Sequence, residues 1–481
     1  MLKVLYYNWT DCQSPRGGGV TVYLHNLINA LRGNEKICPV FLSAGDVYSP
    51  FSYKPYIRPL KGRNNTDCPA FELVNSPVPA PGTLLVHNLH NYLDQSDCTV
   101  LELLREFITE QGGFDVIHFH NLEGLPLNIL KIKEYFPGLK IIFSLHNYFP
   151  FCPQVQLFQN HNQCCCQSFH GGLECGRCRH KPLDPQCFVQ SMTLWFEPGS
   201  IWQQLLKPWL KFKSAHLAEK LLSIKTQRNL PQTYKEFRRL NIAFINRYTD
   251  KVLAVSQRVA DLAAGYGIRP DLLEVAYIGT DYAGIKPFTP AFKHEDSSCF
   301  TLAFLGYARA AKGFFFLLSA LEQLPDEMSA QINLRFAARH IYDVVPPQRL
   351  QKLQQKFHRL EVSDGYRRGE LLKLLADVDL GVVPVIWEDN LPQVAIEMAA
   401  CGVAVLSSDF GGASELSSSP HFRFRGNNTA DFIARLSYIF NHREVLAEYH
   451  RLRRPLTTMS QHISQLEESY RSDVRTLAQT G

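Results

Sequence analysis

The sequence predicts an α/β protein built from two doubly wound units that face a central cleft. Three observations carry this. Apolar strand-like runs alternate with amphipathic helical runs in the first third of the chain, and the same alternation returns after residue 298. Between the two series lie a Pro-containing, charged stretch at 281–298 and an irregular region at 148–241. At 481 residues and 45% hydrophobic composition, the chain is long enough to bury two cores without staples.

The elements follow in order. Lys3–Tyr7 reads as the first strand, so Met1–Trp9, with one Lys and a short apolar run, is not a secretory leader. Gly17-Gly18-Gly19 then opens a helix whose Val20, Leu24, Leu27 and Leu31 share one face. Val40–Ser43, Asp115–His120 and Lys140–Leu145 are further strands, with a helix near 126–135. In the second series Cys299–Leu305, Leu334–Ala337, Leu380–Val385 and Ala404–Ser407 are strands. Gly313–Gln323, Gln348–Leu360, Arg368–Leu375 and Leu391–Ala400 are helices, and Glu467–Thr476 is a last helix. No apolar run approaches the roughly 20 residues of a membrane span, and a cytoplasmic protein is expected.

Net charge is +5, but residues 201–240 hold nine Lys/Arg against two acids, so the rest of the chain is slightly acidic. Basicity confined to one segment argues against a protein that coats nucleic acid. Trp195, Trp202 and Trp209 recur every seven residues there, with Pro198, Gly199 and Pro208 interrupting a continuous helix. The segment reads either as core packing with a solvated basic face or as a docking site for an anionic inner membrane.

Chemistry is expected where strands end and helices begin, because the strands' carboxyl ends line the cleft. Trp387-Glu388-Asp389-Asn390-Leu391-Pro392 leads into a helix carrying Glu397. Two carboxylates so spaced can hold hydroxyls at two points of one polyol, or Asp389 is a helix cap and Glu397 is solvated. Gly306–Gly313 places Arg309 and Lys312 at another strand-to-helix junction, a site for a diphosphate that lacks P-loop spacing. Gly411-Gly412 with Glu415 is a third loop on the same rim. Arg16 to Gly19 lets backbone N–H groups approach a ligand, without the dinucleotide fingerprint. His118, His120 and His146 end strands on that edge. An Asp-x-Asp at Asp377-Val378-Asp379 precedes a strand already assigned. Cys152, Cys164, Cys165, Cys166, Cys175 and Cys178, with His161 and His170, form a Cys-rich loop; Cys152, Cys164, Cys175 and Cys178 are a candidate structural zinc set, with disulfides, an iron–sulfur cluster or unligated thiols as alternatives.

In order and coverage these motifs resemble the retaining family 4 glycosyltransferases of GT-B fold, two Rossmann-like domains facing a cleft. The resemblance runs through Gly17-Gly18-Gly19, Asp115–His120, Leu145-His146-Asn147, Ser256, Gly279-Thr280-Asp281, Gly306–Gly313, Asp389–Glu397 and Gly411–Glu415. It implies an acceptor-side domain at 1–285, with the insertion at 148–241, a nucleotide-sugar domain at 286–455 and a returning C-terminal segment at 456–481 anchored by Tyr470. It implies His120, Arg309, Lys312 and Asp389 as catalytic residues. Gly17, Gly18, Gly19, His146, Glu388, Asn390, Leu391, Glu397, Gly411 and Gly412 would contact substrate, with Glu397 on the ribose and Lys312 and Arg309 on the leaving diphosphate. Two departures stand out: Tyr307 occupies the position where an Arg is frequent, and the first acid is Asp389, beside Glu388. The implied partners are a nucleotide-diphosphate sugar, UDP- rather than GDP-linked, and a glycan or lipid-linked acceptor. No cofactor is expected for catalysis and no nucleic acid. The alternative is a catalytically inactive GT-B-like protein that binds a glycan or partner.

Overall fold

The computed structural model describes residues 1–14, 16, 18–60, 68–81, 89–159, 164–166, 172, 174–175, 178, 185–196, 200–222, 231–284 and 299–473. Gly17, His161, His170 and most of the 281–298 stretch fall outside them.

The sixteen strands are β1 (Leu2–Tyr7), β2 (Ile37–Ala44), β3 (Tyr56–Pro59), β4 (Ala70–Val74), β5 (Val116–Phe119), β6 (Lys140–Leu145), β7 (Phe158–Gln159), β8 (Cys164–Cys165), β9 (Lys251–Ala254), β10 (Leu273–Val275), β11 (Phe300–Tyr307), β12 (Ile332–Arg339), β13 (Arg359–Ser363), β14 (Leu380–Val383), β15 (Ala404–Ser408) and β16 (Arg423–Phe424). The first unit is a sheet of order β10-β9-β6-β5-β1-β2-β4-β3, parallel except for the edge strand β3. The second is a wholly parallel sheet of order β13-β12-β11-β14-β15-β16. Strands covered by helices on both faces read as continuous apolar runs, which is why β1, β6 and β11 were visible in the sequence. Leu5 pairs with Val40 and Ile117, and Leu302 pairs with Leu334 and Leu380, all buried.

Strand order reverses between β1 and β5 in the first sheet and between β11 and β14 in the second. At such switch points the two flanking connections leave toward opposite faces and open a crevice at the strands' carboxyl ends. The motif residues lie on these edges.

The sequence reading needs several corrections. The 148–241 region is only partly irregular: its described residues before 185 form turns and the short β7–β8 pair, but from there it carries helices Pro185–Thr193, Ile201–Leu205, Lys207–Leu222 and Pro231–Tyr248. Pro208 sits in the first turn of Lys207–Leu222, where a missing N–H costs nothing, so it starts that helix. The helix expected over 348–360 ends at Lys356, and β13 follows. The last helix is Met459–Arg471, not Glu467–Thr476, and begins with a Thr458–Gln461 capping box. It packs on the first unit, where Tyr470 is buried and Lys140 Nζ donates to the Tyr470 carbonyl at 3.0 Å.

Candidate functional site

In the second unit, β11 ends at Tyr307 and the chain turns through Ala308–Lys312 into the helix Phe314–Leu321. Gly313 makes that turn with φ 72°; a Cβ there would lie 1.6 Å from the Pro384 carbonyl oxygen. The turn is thereby pressed against the end of β14, which brings Lys312 to Asp389. Their side chains form an ion pair, and Lys312 Nζ lies 5.2 Å from the Trp387 ring centroid. A cation and a carboxylate predicted for two parts of one ligand thus neutralise each other here. Arg309 is exposed and stacks on Tyr307, 5.0 Å to the ring centroid. The Tyr307 departure therefore supplies a platform for Arg309.

Glu397 lies on the helix Gln393–Ala400 and accepts a bond from the Tyr366 hydroxyl at 2.7 Å. Burial and this carboxylate together push the Tyr366 hydroxyl upward, so it stays a donor. The helix packs so closely on β14 that a Cβ at Gly381 would meet Met398 Sδ at 2.1 Å.

Five predicted contact residues, Glu388, Asn390, Leu391, Gly411 and Gly412, also make contacts within the protein itself. Buried Glu388 pairs with Arg258 of the first unit and accepts the Gly411 N–H at 2.9 Å. A Cβ at Gly411 would lie 1.9 Å from the Asp389 carbonyl oxygen, and one at Gly412 2.4 Å from that of Asn390. Glycine is required at both positions because two backbones touch. Asn390 bridges the units: its Nδ2 donates to the Leu145 carbonyl at 3.2 Å, and its own carbonyl accepts from Ser256 Oγ at 2.9 Å. Leu391 is buried beside it. Glu415 accepts from the backbone N–H of Gln257 and Arg258 and from the Tyr277 hydroxyl. The N-terminus of helix Gln257–Tyr266 is thus capped by a carboxylate from the opposite unit.

In the first unit, Gly18 precedes the helix Gly19–Ala30, and the Gly19 carbonyl accepts from Gln393 Nε2 at 2.9 Å. Here a Cβ at Gly18 or Gly19 would meet nothing within 4 Å. No protein contact requires glycine at either position, which leaves open space on the cleft side of that helix. The contrast gives a prediction. Gly411→Ala should destabilise by more than about 3 kcal/mol in urea unfolding, from strain plus overlap. Gly19→Ala should leave the unfolding free energy within about 1 kcal/mol of the parent yet reduce turnover of a sugar nucleotide.

The histidines form one buried group. His118 joins the Tyr470 hydroxyl at 2.6 Å and Ser144 Oγ at 2.7 Å; His120 Nδ1 faces His146 Nε2 at 3.0 Å; His462 of the C-terminal helix joins Tyr23 at 2.7 Å. His120 is fully enclosed and its Nε2 has no partner, whereas His146 is half-buried next to Leu145, which Asn390 contacts. Burial first, then the neighbouring imidazoles, hold His118, His120 and His146 neutral, with His146 lowered to about 3; burial alone lowers His462 to about 4.

The Cys-rich loop also differs from expectation. Cys164 turns to Gln159, 3.6 Å from Oε1, while Cys166 lies near Cys152 and Cys175, and Cys175 Sγ is 4.0 Å from Arg238 Nη2. Among the described residues no three His, Cys, Asp or Glu side chains are gathered as metal ligands. Much of the loop that carries Cys152, Cys164, Cys175 and Cys178 lies outside the described residues. Cys165 instead rests against Glu388, and burial pushes its thiol up to about 12. The Asp-x-Asp is accounted for structurally: Asp377 pairs with Arg335, and Asp379 accepts the Thr301 N–H at the start of β11.

Sequence reading missed Arg258, Tyr366 and Gln393. Arg258 stands two residues after Ser256, but nothing local announces a partner 130 positions away.

Residues 299–442 match the family model described as Glycosyl transferases group 1. No curated protein sequence matches significantly. Among solved structures, the chain is similar to HepE from Anabaena in complex with UDP (TM-score 0.56, 14% identity, covering 98% of this chain and 99% of that one). It is also similar to sucrose-phosphate synthase from Thermosynechococcus elongatus (TM-score 0.57, 14% identity, 98% of each chain). A third is α,α-trehalose 6-phosphate synthase from Burkholderia multivorans (TM-score 0.55, 13% identity, 98% and 96%). The chain has the GT-B fold, and the match to the glycosyl transferases group 1 model falls within its second unit.

Proposed function

We propose that this protein is a retaining glycosyltransferase that moves a sugar from a UDP-sugar to a glycan or lipid-linked acceptor. The observation that carries the reading is the Lys312–Asp389 pair at the β11/β14 switch point, in a fold whose first unit offers open space at Gly18 and Gly19. HepE, one of the similar structures, is complexed with UDP, which supports uridine as the base.

In this reaction the bond from the anomeric carbon to the diphosphate oxygen breaks, and negative charge builds on the diphosphate. Lys312 and Arg309 meet that charge, so Lys312 must exchange part of its contact with Asp389 for phosphate. Asp389 is then free to accept sugar hydroxyls. Glu397, oriented by Tyr366, accepts the ribose hydroxyls. The acceptor hydroxyl attacks from the face the diphosphate leaves, and its proton passes to the departing phosphate oxygen, so no protein nucleophile is assigned. His146, neutral and half-buried, borders the donor sugar more openly than enclosed His120.

The test is thermal denaturation of the purified chain with UDP, GDP, ADP or CMP, each with and without EDTA. UDP at about 100 times its Kd should add about 2.7 kcal/mol, with no dependence on EDTA. Absence of a shift with every nucleotide would overturn the donor site.

A further inference from the structure

Large hydrophobic side chains with high exposure are not scattered over this protein. Of the thirteen among the described residues, Leu194, Ile201, Trp202, Leu205 and Phe212 fall within 194–212, and a sixth, Phe51, packs on Trp195 and Trp209 of the same stretch. Four of them are between 63% and 73% exposed across the helices Ile201–Leu205 and Lys207–Leu222. Soluble surfaces rarely concentrate apolar area in this way without a partner.

The helix Lys207–Leu222 is apolar on two sides for two different reasons. Its Leu210, Ser214 and Leu217 face inward, and both leucines join Tyr48, Phe188 and Met192 in a small core separate from the main one. The opposite side carries Phe212, and Ile201, Leu205 and Pro208 extend that side at helical spacing. Folding of this chain accounts for the first face and leaves the second uncovered. The sequence reading treated Trp195, Trp202 and Trp209 alike. The structure separates them: Trp195 donates from Nε1 to the Tyr56 hydroxyl, and Trp209 packs against the small core, but Trp202 points outward.

Lys207 and Lys211 are exposed among these apolar groups, and from Pro198 to Ala218 the sequence holds no acidic residue. Cations flanking exposed Trp, Phe, Leu and Ile match the headgroup region of an anionic bilayer, where apolar side chains enter the acyl boundary and lysines stay at the phosphates. A peptide or protein partner would use apolar contact without requiring this one-sided charge. We propose that this face docks the protein on anionic lipid. The inference stands on the surface itself and not on the donor chemistry above.

The experiment is co-sedimentation of the full chain with phosphatidylcholine vesicles, with and without phosphatidylglycerol, at low and high salt. Binding should require phosphatidylglycerol and weaken with salt. Lys207→Ala with Lys211→Ala should reduce partitioning about 25-fold, and Leu205→Ser with Phe212→Ser about 100-fold or more. Because these side chains are exposed, both double variants should keep the parent melting temperature and the parent response to UDP. Failure to bind either vesicle would overturn the proposal. So would binding indifferent to phosphatidylglycerol and to the lysines, or a concentration-dependent dimer in sedimentation velocity abolished by Phe212→Ser, which would assign the face to a second copy. Loss of UDP response with vesicle binding intact would instead count against the donor site.

Discussion

Lys312→Ala is expected to lower kcat/KM for a UDP-sugar by about 10²- to 10³-fold, the usual cost of removing one preorganised group from a developing anion. The lysine is a third exposed, tethered by Asp389 and lying over Trp387, so its position is fixed before ligand arrives. Asp389→Asn should lower turnover by a comparable factor for a different reason, because it removes a sugar-hydroxyl acceptor and releases the tether on Lys312. The two losses should not add, since each single change disturbs the other partner. Arg309→Ala should cost less, about tenfold, as that side chain is exposed and held only by Tyr307. Steady-state kinetics with melting temperature measured in parallel decides this. Equal turnover for Lys312→Ala and the parent would remove the diphosphate role.

The second large effect is on stability below neutral pH. His118, His120, His146 and His462 are held neutral in the fold, well under their ordinary value of 6.5. In the unfolded chain each takes up a proton near pH 6.5, while the native state takes up none until far lower. Stability is therefore present above about pH 6.5 and is lost as pH falls, by about 1.4 kcal/mol per pH unit for each such histidine. Burial raises Asp46 and Glu72 in the fold, and these titrate in the opposite sense. A difference measurement isolates the histidine contribution. His462→Gln should reduce the slope of unfolding free energy against pH by about one proton between pH 6 and 5. An unchanged slope would mean that His462 is already open to water in the native state. Because His462 ties the C-terminal helix to Tyr23 of the helix Gly19–Ala30, and Tyr470 ties it to β1, β5 and β6, that helix should be the first element released on acidification.

The legible parts of the fold share a physical property. β6 is legible in the sequence, because a strand buried on both faces shows as a mostly apolar run, here Ile141, Ile142, Phe143 and Leu145, ending at a polar His-Asn pair. β9, β10 and β13 were not read. They are three to five residues long, and their apolar character is no stronger than that of the helices beside them. The helix Pro231–Tyr248 was taken as irregular because its buried face carries Arg238 and Asn241, polar groups that only tertiary partners satisfy.

Two doubly wound units are legible from the amino-acid order alone, as are Lys312 and Asp389 at strand-to-helix junctions and Glu397 on the helix that follows the second junction. Those follow from short-range rules of periodicity and turn geometry. Only the tertiary structure decided how these residues are used. Two carboxylates adjacent in sequence, Glu388 and Asp389, point to different partners, one to Arg258 across the cleft and one to Lys312 within its own unit. Two pairs of glycines look alike in sequence, yet Gly411 and Gly412 are required by touching backbones while Gly18 and Gly19 border empty space. Of three tryptophans at equal spacing, one faces solvent. In each case the outcome depends on contacts between segments far apart in the chain, and a local pattern carries no information about what lies across a gap that only the packing of whole units creates.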